Sequence, residues 1–364
     1  MAKILVDAER SKYPHSGVGF FASCLVAGLH ESQLQAPLKE QLIYYTPRSY
    51  TPEGHIRRHY GWHRLLNPTS WDCALIHITH QLQTYFPQIC SHTRCILTLH
   101  DLNFLYEELS ASQYERRLSM VRLNLQRADV IVCISHFVKA CLEEHRSLFK
   151  LKSNVRIEVI HNGIRLEDEG ESQPAALQLP EGSEYILSIG VLQHKKQQHT
   201  LVDMLAHLPE HLHLVLVYSD TSDYESNIRY SIAQHRLEGR VHFLRNVSSA
   251  EKCYLLRHCL AYMHPSTAEG FGIPPIEAMY AGRPVFLSRS TSLPEIGGQE
   301  AYYFRSAHPL VMAEDFRQGL QDYAEDIAKA ERLRAWAKGY DYRRMGADYR
   351  RLYEETLSIL PHKS

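Results

Sequence analysis

Short β-branched or aliphatic runs alternate with longer stretches of helical period along this chain, and no other feature constrains its fold as strongly. Such alternation is typical of parallel sheets whose connecting helices cover both faces. It occurs twice, and an acidic segment with Pro and Gly between residues 165 and 184 separates the two series. Since that composition is typical of an exposed connection, the sequence predicts two α/β domains.

The predicted strands place the domain boundaries. They are Lys3–Asp7, Gln41–Thr46, Cys73–Ile78, Cys95–Leu99, Val130–Ile134 and Arg156–Ile160 in the first half, then Tyr185–Gly190, Leu212–Tyr218, Val241–Leu244, Ala261–His264 and Pro284–Ser288. We expect an amino-terminal domain of residues 1–165 and a carboxyl-terminal domain of residues 166–345. The last segment has the apolar spacing of one buried helical face, so residues 346–364 could complete the first domain. Because such domains bind ligands at the carboxyl ends of their strands, we expect a site between the two.

The composition is that of a folded globular protein. Hydrophobic residues make up 44% and charged residues 22% of the 364 residues, which allows a sizeable core. The net charge of -1 provides no whole-protein field that would attract nucleic acid, so we expect no nucleic-acid partner. Contact with an anionic surface would require a local patch.

The cysteines and the first residues predict a cytoplasmic protein. The eight cysteines form no C-x-x-C pair, and most lie in apolar runs, which is typical of reduced core thiols. The opening MAKILVDAE lacks the basic and long apolar regions of a secretory signal. No run approaches the roughly 18 apolar residues that a membrane-spanning helix needs.

One segment, residues 264–286 with the sequence HPSTAEGFGIPPIEAMYAGRPVF, carries the most chemical information. A strand leads through a glycine-containing loop into a helix whose start is marked by two prolines. Glu269 and Glu277 are separated by seven residues across this loop and helix start. The helix start would favour a phosphate, and the two carboxylates could then bond sugar hydroxyls and a ribose. In the alternative interpretation, Glu269 only caps the turn and Glu277 is a solvated first-turn residue.

The order of residues in this segment resembles the E-x7-E segment of the retaining glycosyltransferases of family GT4, the group 1 glycosyl transferases. Other segments match that family in order along almost the whole chain. The resemblance implies the GT-B fold, an α/β fold of two Rossmann-like doubly wound domains that face a central cleft. The carboxyl-terminal helix could cross back to the first domain. The residues of this segment implied to bind the donor are Glu269, Gly270, Phe271, Gly272, Ile273 and Glu277.

A second matching segment, residues 185–197 with the sequence YILSIGVLQHKKQ, resembles the strand, glycine and basic pair of the family. The pair is usually Arg-Lys, and here it is Lys195-Lys196. The resemblance implies that these cations hold the donor diphosphate. Lysine neutralises the charge but lacks the bidentate geometry of arginine. Without the family context, two surface lysines would be the simpler interpretation.

Two segments of the first domain match the family at the expected cleft. Gly17 and Gly19 lie in SGVGF at the start of an apolar helix, where small residues let backbone amides approach a phosphate or sugar. His100 ends the strand in ILTLHDLNFL and resembles the histidine that family members use to position the donor sugar. We therefore name His100, Glu269 and Lys196 as candidate catalytic residues. Alone, a G-x-G pair is most often a tight turn, and any one of 23 histidines is most often structural.

The resemblance implies that the donor is a nucleotide diphosphate sugar and that transfer retains the anomeric configuration by same-face attack. We expect no cofactor and no metal, because the chain has no convincing D-x-D and the cations could stabilise the leaving diphosphate. The acidic run Glu167–Glu169 lies in the predicted connection. Arg245 stands where the family often has glycine, so the nucleotide base is not predicted, and neither is the sugar.

The acceptor is expected to be a glycan or lipid-linked molecule bound by the first domain, as in surface polysaccharide or glycoconjugate synthesis. Two basic groups there could meet an anionic glycan or the inner face of a membrane, although a solvated basic face is the simpler interpretation. They are His55, Arg57, Arg58, His59, Trp62, His63 and Arg64, and then Arg116, Arg117, Arg122 and Arg127.

Two other functions remain open at this point. One is a nucleotide-sugar epimerase with the GT-B fold, which the order of the lysine pair and the E-x7-E segment disfavours. The other is a non-catalytic GT-B protein that binds nucleotide sugars or acts as a scaffold. The linkage formed and the oligomeric state are not predicted.

Overall fold

The computed structural model describes residues 2–14, 16–35, 40–107, 109–166, 170–220 and 222–359. The chain divides into two compact units, residues 1–165 with 340–364, and residues 166–339. Residues 167–169, the acidic run of the predicted connection, lie outside the described residues. Among the described helices, none combines the length and apolar character that crossing a bilayer requires.

The first unit is built on a parallel sheet. Its strands are β1 Lys3–Asp7, β2 Gln41–Thr46, β3 His55–Arg58, β4 Leu75–Ile78, β5 Arg94–Leu99, β6 Val130–Cys133 and β7 Arg156–Val159. They pair in the order β3-β2-β1-β4-β5-β6-β7, and every neighbouring pair is parallel. The helices that precede the second unit are α1 Gly17–Gln35, α2 Ala111–Arg127, α3 His136–Glu144 and α4 Arg146–Phe149. Strands β4, β5 and β6 are buried at every residue, as expected for a sheet covered on both faces.

The second unit repeats the architecture with a shorter sheet. Its strands are β8 Glu184–Ile189, β9 Leu212–Tyr218, β10 Val241–Arg245, β11 Ala261–His264, β12 Val285–Leu287 and β13 Tyr302–Tyr303. They pair in parallel in the order β10-β9-β8-β11-β12-β13. The helices are α5 Gln198–Leu205, α6 Glu225–His235, α7 Ser249–His258, α8 Ile273–Tyr280, α9 Leu293–Gly297, α10 Pro309–Glu325 and α11 Lys329–Lys338. The predicted fold class of two parallel α/β domains is confirmed.

Two strands were missed in the sequence. Strand β3 has the sequence HIRR, which carries three polar residues and lies at the edge of the first sheet. Strand β13 has only two residues. Strand β3 shows no apolar run, because an edge strand needs less burial than a central one, and β13 is too short to stand out in the sequence. The remaining strands lie within two residues of their predicted ends.

The last helix, α12 Tyr342–Ile359, packs in the first unit against α1. The two helices touch through glycine: a Cβ on Gly28 would lie 2.3 Å from the Tyr342 carbonyl oxygen, and one on Gly346 would lie 2.1 Å from the Gly28 carbonyl carbon. The backbones can approach this closely only without side chains at both positions.

A buried hydrogen-bond network also fixes α12. The His77 Nδ1 atom lies 2.7 Å from the Tyr353 hydroxyl, and its Nε2 atom lies 2.8 Å from Thr98 Oγ1. Thr98 Oγ1 in turn lies 2.7 Å from the Tyr349 hydroxyl. Because each partner is buried, the network ties the helix to β4 and β5.

Residues 340–345, assigned from the sequence to the second domain, belong to the first unit. The Ile164 N–H donates to the Tyr340 carbonyl at 2.8 Å, and the Tyr342 N–H donates to the Ile164 carbonyl at 3.2 Å. The chain therefore returns to the first unit at Tyr340, before α12 begins. The apolar spacing of α12 does not predict this backbone pairing.

Candidate functional site

The E-x7-E segment lies at the carboxyl edge of the second unit's sheet. Strand β11 ends at His264, and α8 begins at Ile273 after Gly272, whose φ of 126° favours glycine. Pro274 and Pro275 carry no N–H, so the backbone donors of this helix start come from Gly272 and Ile273. The segment thus combines a tight turn with a short helix whose start presents few but closely spaced donors.

Glu269 lies at the centre of a set of charged contacts. Its Oε1 atom is 2.5 Å from Lys196 Nζ and 2.7 Å from His264 Nε2. Both the Lys196 and Glu269 side chains are largely buried. Burial alone would raise the pKa of the Glu269 carboxyl, but Lys196 and His264 outweigh it and hold that pKa well below its usual range. Glu269 is therefore an ionised carboxylate with specific partners, and the interpretation that it only caps a turn is wrong.

Two hydroxyl side chains just before α9 hold the loop that carries Glu269. The Glu269 N–H donates to Thr291 Oγ1 at 2.9 Å. Ser292 Oγ donates to the carbonyl of Phe271 at 2.7 Å and approaches that of Glu269 at 3.1 Å. Ser292 is fully buried, and Phe271 is buried too. These hydroxyls, which carry no motif of their own, hold the backbone of the loop in place.

The lysine pair lies on a short 3-10 helix, His194–Lys196, next to the same loop. The Lys195 carbonyl accepts hydrogen bonds from the Thr267 N–H at 2.8 Å and from Ser266 Oγ at 3.0 Å. The Lys196 ammonium reaches Glu269, whereas the Lys195 side chain is partly exposed. The structure therefore brings Lys196 and Glu269 together, as the sequence suggested for a single site.

Glu277 is on α8, and its carboxylate is only 10% exposed. Its Oε1 atom lies 2.6 Å from Nζ of Lys252, on α7. The interpretation of Glu277 as a solvated first-turn residue is wrong, because it lies beyond the first turn and is paired. Lys252 was missed in the sequence, since nothing in α7 marks this lysine as a partner of a residue 25 positions away.

The candidate histidine of the first unit, His100, follows β5 and is buried. Its Nε2 atom donates to the Thr79 carbonyl at 2.8 Å, and its backbone N–H donates to Gln81 Oε1 at 3.2 Å. Burial lowers the pKa of His100 to about 4, against the opposing effect of the Thr79 carbonyl. His100 is thus a neutral imidazole with its proton on Nε2, which leaves Nδ1 as the acceptor.

The two glycines of the first unit differ in role. Gly17 begins α1 and is exposed, and a Cβ there would meet no atom within 4 Å, so packing within the protein does not require glycine at this position. A Cβ on Gly19 would lie 2.0 Å from the Tyr13 carbonyl oxygen. Packing against Tyr13 therefore explains Gly19 without a ligand.

Several side chains of the predicted basic group from His55 to Arg64 have partners within the first unit. Arg57 lies on β3 and pairs with Asp72 at 2.6 Å, while Arg58 donates to Thr46 Oγ1 and to carbonyl oxygens. His63 is buried against the Tyr45 hydroxyl at 2.7 Å. Residues 55–58 thus form an edge strand, while His55, Trp62 and Arg64 of the same basic group are exposed.

The arginines of the second basic group lie on α2, as their helical spacing suggested. Arg117 pairs with Glu107 at 2.7 Å. Arg122 donates to the Leu148 carbonyl, and Arg127 donates to the carbonyls of Phe86 and Pro87. Three of the four arginines thus stabilise the first unit itself.

Comparison with known proteins places this geometry in context. The family model described as "Glycosyl transferases group 1" matches residues 170–338, and the model described as "Glycosyltransferase Family 4" matches residues 30–168. The O-antigen chain mannosyltransferase RfbU of Salmonella typhimurium is 27% identical over 53% of this chain and 51% of its own length, so the chain spans about half of that relative. The O-antigen chain mannosyltransferase B of Escherichia coli is 24% identical over 93% of this chain and 96% of its own length.

Solved structures share the fold at low identity. A sucrose-phosphate synthase from Thermosynechococcus elongatus has a TM-score of 0.77 at 18% identity and covers 99% of this chain and 100% of its own. The structure of Anabaena HepE in complex with UDP and glucose has a TM-score of 0.71 at 19% identity, with the same coverage. Both similarities concern the fold.

Proposed function

Because this chain belongs to glycosyltransferase family 4, the group 1 glycosyl transferases of GT-B fold, we propose that it moves a sugar from a nucleotide diphosphate sugar to a glycan or lipid-linked acceptor. Transfer retains the anomeric configuration and needs no metal. The observation that carries the proposal is the contact between Lys196 and Glu269 at the carboxyl edge of a parallel sheet.

The donor occupies the second unit. Lys195 and Lys196 neutralise the diphosphate, and the N–H groups of Gly272 and Ile273 add donors at the start of α8. Glu269 bonds hydroxyls of the transferred sugar, and Glu277 bonds the ribose. As the sugar–phosphate bond breaks, charge grows on the diphosphate, where the two ammonium groups stabilise it without a metal ion.

The environment of Glu269 supports same-face attack over double displacement. A carboxylate nucleophile must share its electron pair with the sugar carbon, yet Glu269 already accepts hydrogen bonds from Lys196 and His264. These contacts stabilise the anion and lower its nucleophilicity. Glu269 is therefore a binding group, and the leaving diphosphate takes the acceptor's proton.

The names of the relatives suggest the sugar and the acceptor. RfbU and mannosyltransferase B are both O-antigen chain mannosyltransferases. Mannose is accordingly the first sugar to test, and a growing surface polysaccharide is the first acceptor class. His100 and Gly17 remain predicted sugar-binding residues of the first unit.

A membrane contact at the inner face of the bilayer is proposed for a lipid-linked acceptor. The segment Tyr60 to Leu66 exposes an apolar surface, with the Trp62 side chain 54% and Leu65 83% accessible. Arg48 lies over the Tyr60 ring at 5.6 Å, and Arg64 is also exposed. Aromatic and aliphatic side chains flanked by arginine are typical of surfaces that bind the lipid–water interface.

The proposal is tested by following nucleotide release from GDP-mannose and UDP-glucose in the presence of EDTA. Release that depends on added acceptor, with an anomer of unchanged configuration in the product, supports retaining transfer. An epimerised sugar without an acceptor would favour the epimerase function, and binding without turnover under any acceptor would favour a scaffold.

A further inference from the structure

His264 forms a hydrogen bond with Glu269 of the candidate donor site. It ends β11, its side chain is 4% exposed, and its Nε2 atom is 2.7 Å from Glu269 Oε1. On its other side, Nδ1 lies 3.1 Å from the Tyr262 hydroxyl, and the two rings are nearly parallel. Tyr262 is fully buried, so the imidazole is held from both ends.

The geometry assigns the proton of this imidazole. A carboxylate oxygen can only accept, so Nε2 must donate to Glu269. In the neutral ring Nδ1 is then an acceptor, and the single proton of the Tyr262 hydroxyl is shared between Nδ1 at 3.1 Å and the Ile189 carbonyl at 3.3 Å. Burial lowers the pKa of His264, against the effect of Glu269, which agrees with a neutral imidazole of fixed tautomer.

Both donors of Glu269 use the same oxygen. Lys196 and His264 contact Oε1, and no hydrogen bond to Oε2 is found among the described residues. Two donors satisfy the two lone pairs of Oε1, so Oε2 keeps its full accepting capacity for a ligand hydroxyl.

We propose that His264 is a positioning residue that holds Glu269 with Oε2 turned to the donor sugar when Lys196 turns to the diphosphate. The inference rests on the proposed function and deepens it. Lys196 serves two anions, the carboxylate and the incoming phosphate. A partly buried carboxylate that lost its lysine would otherwise keep no partner and would be free to rotate. His264 prevents this because its ring is fixed by Tyr262 and by the strand.

The test compares substitutions that keep or remove the Nε2 donor. His264→Gln places an amide N–H near the same position, whereas His264→Leu does not. We measure kcat/KM with GDP-mannose and UDP-glucose, together with the affinities of both nucleotide sugars and of free GDP and UDP. His264→Leu should lower kcat/KM and nucleotide-sugar affinity about 10- to 100-fold, and His264→Gln should stay within about threefold of wild type. Affinity for the free nucleotide should change little in either variant.

The matched control is His213, another strand histidine of the second unit that is equally buried. Its Nδ1 atom lies 2.9 Å from His242 Nε2, and its contacts do not include Glu269. His213→Leu should leave the affinity difference between nucleotide sugar and free nucleotide as in wild type. Tyr262→Phe, which keeps the ring, is a milder variant and serves as the test if His264→Leu does not fold. It should lower nucleotide-sugar affinity to a value between that of wild type and that expected for His264→Leu.

Separate results would overturn the two ideas. The positioning role fails if His264→Leu binds nucleotide sugars as tightly as wild type, or if His264→Gln binds them as weakly as His264→Leu. It also fails if the affinity for free nucleotide falls as much as the affinity for nucleotide sugar. A wild-type protein that binds a nucleotide sugar without transferring it would count against the proposed function alone, since the variants are then compared by affinity. A wild-type protein that binds neither class of ligand would overturn both.

Discussion

Lys196 and Glu269, which are 73 positions apart in the chain, meet with 2.5 Å between Nζ and Oε1. The lysine follows β8, and the glutamate follows β11, its neighbour in the sheet. Parallel strands bring the loops at their carboxyl ends together, which explains why distant segments share one site. In the proposed function, this pairing orients the lysine that neutralises the donor diphosphate.

Glu277→Ala should weaken binding of the nucleotide diphosphate more than recognition of the sugar. The carboxylate is largely buried beside Lys252, and a hydrogen bond to a charged group contributes about 1.5 to 3 kcal/mol. Titration calorimetry with nucleotide and nucleotide sugar measures both effects. Glu331→Ala, at an exposed position of α11, is the control. A larger loss for the sugar than for the nucleotide would contradict the ribose assignment.

His100→Ala should lower kcat about 10- to 100-fold while nucleotide affinity stays close to that of wild type. The His100 Nε2 proton is donated to the Thr79 carbonyl, so in the proposed function Nδ1 is the atom that accepts from a sugar hydroxyl. His92→Ala, at an exposed position of the same unit, controls for loss of a histidine. Full turnover in the His100 variant would remove this residue from the site.

Acidification should destabilise the first unit through His77. Burial lowers the pKa of His77 to about 3, below the ordinary value of 6.5, so the unfolded chain binds the extra proton first as the pH falls. The stabilisation is therefore complete above pH 6.5 and is lost as the pH falls toward 3, by at most about 1.4 kcal/mol per pH unit.

Urea unfolding at pH 7 and pH 5 measures this contribution. The stability difference between the two pH values should be smaller in His77→Gln than in wild type, because the substituted side chain does not titrate. The raised pKa of Asp7, about 7 through burial, acts with the opposite sign in both proteins and cancels in the comparison. Equal differences in the two proteins would rule out His77 as a source of acid sensitivity.

Membrane contact should depend on the exposed surface from Tyr60 to Leu66. In liposome flotation, wild type should rise with vesicles that contain anionic lipid, and the double variant Trp62→Ser with Leu65→Ser should stay behind. Tyr230→Ser with Leu310→Ser removes exposed apolar side chains of the second unit and should float like wild type. The proposal fails if wild type does not float with either anionic or neutral vesicles.

The sequence predicts this fold well because its central strands are apolar runs of ordinary length. It misses β3, whose HIRR sequence reads as a basic surface, because pairing with β2 and with Asp72 is a tertiary effect. The start of the return segment at Tyr340 is missed for the same reason, since it depends on backbone pairing with Ile164.

Some residues of the candidate site are predictable from the sequence, and others are found only in the folded structure. Glu269, Glu277 and the lysine pair are readable as a motif, because their order along the chain is distinctive. Lys252 and Ser292 have no such order, and only the folded sheet brings them to the two glutamates. His264 opens the same segment as Glu269, but the sequence does not show that its side chain contacts this carboxylate. With 23 histidines in the chain, residue type alone would not single out His264.

The central claim is a metal-free diphosphate site built on Lys196, and thermal unfolding with GDP, UDP or ADP in EDTA tests it most directly. A ligand at about 100 times its dissociation constant stabilises the folded protein by about 2.7 kcal/mol. We predict that one nucleotide raises the midpoint of wild type and of Lys338→Ala, an exposed control on α11, and that Lys196→Ala loses most of this shift. No shift with any nucleotide in folded wild type, or an undiminished shift in Lys196→Ala, would contradict the account.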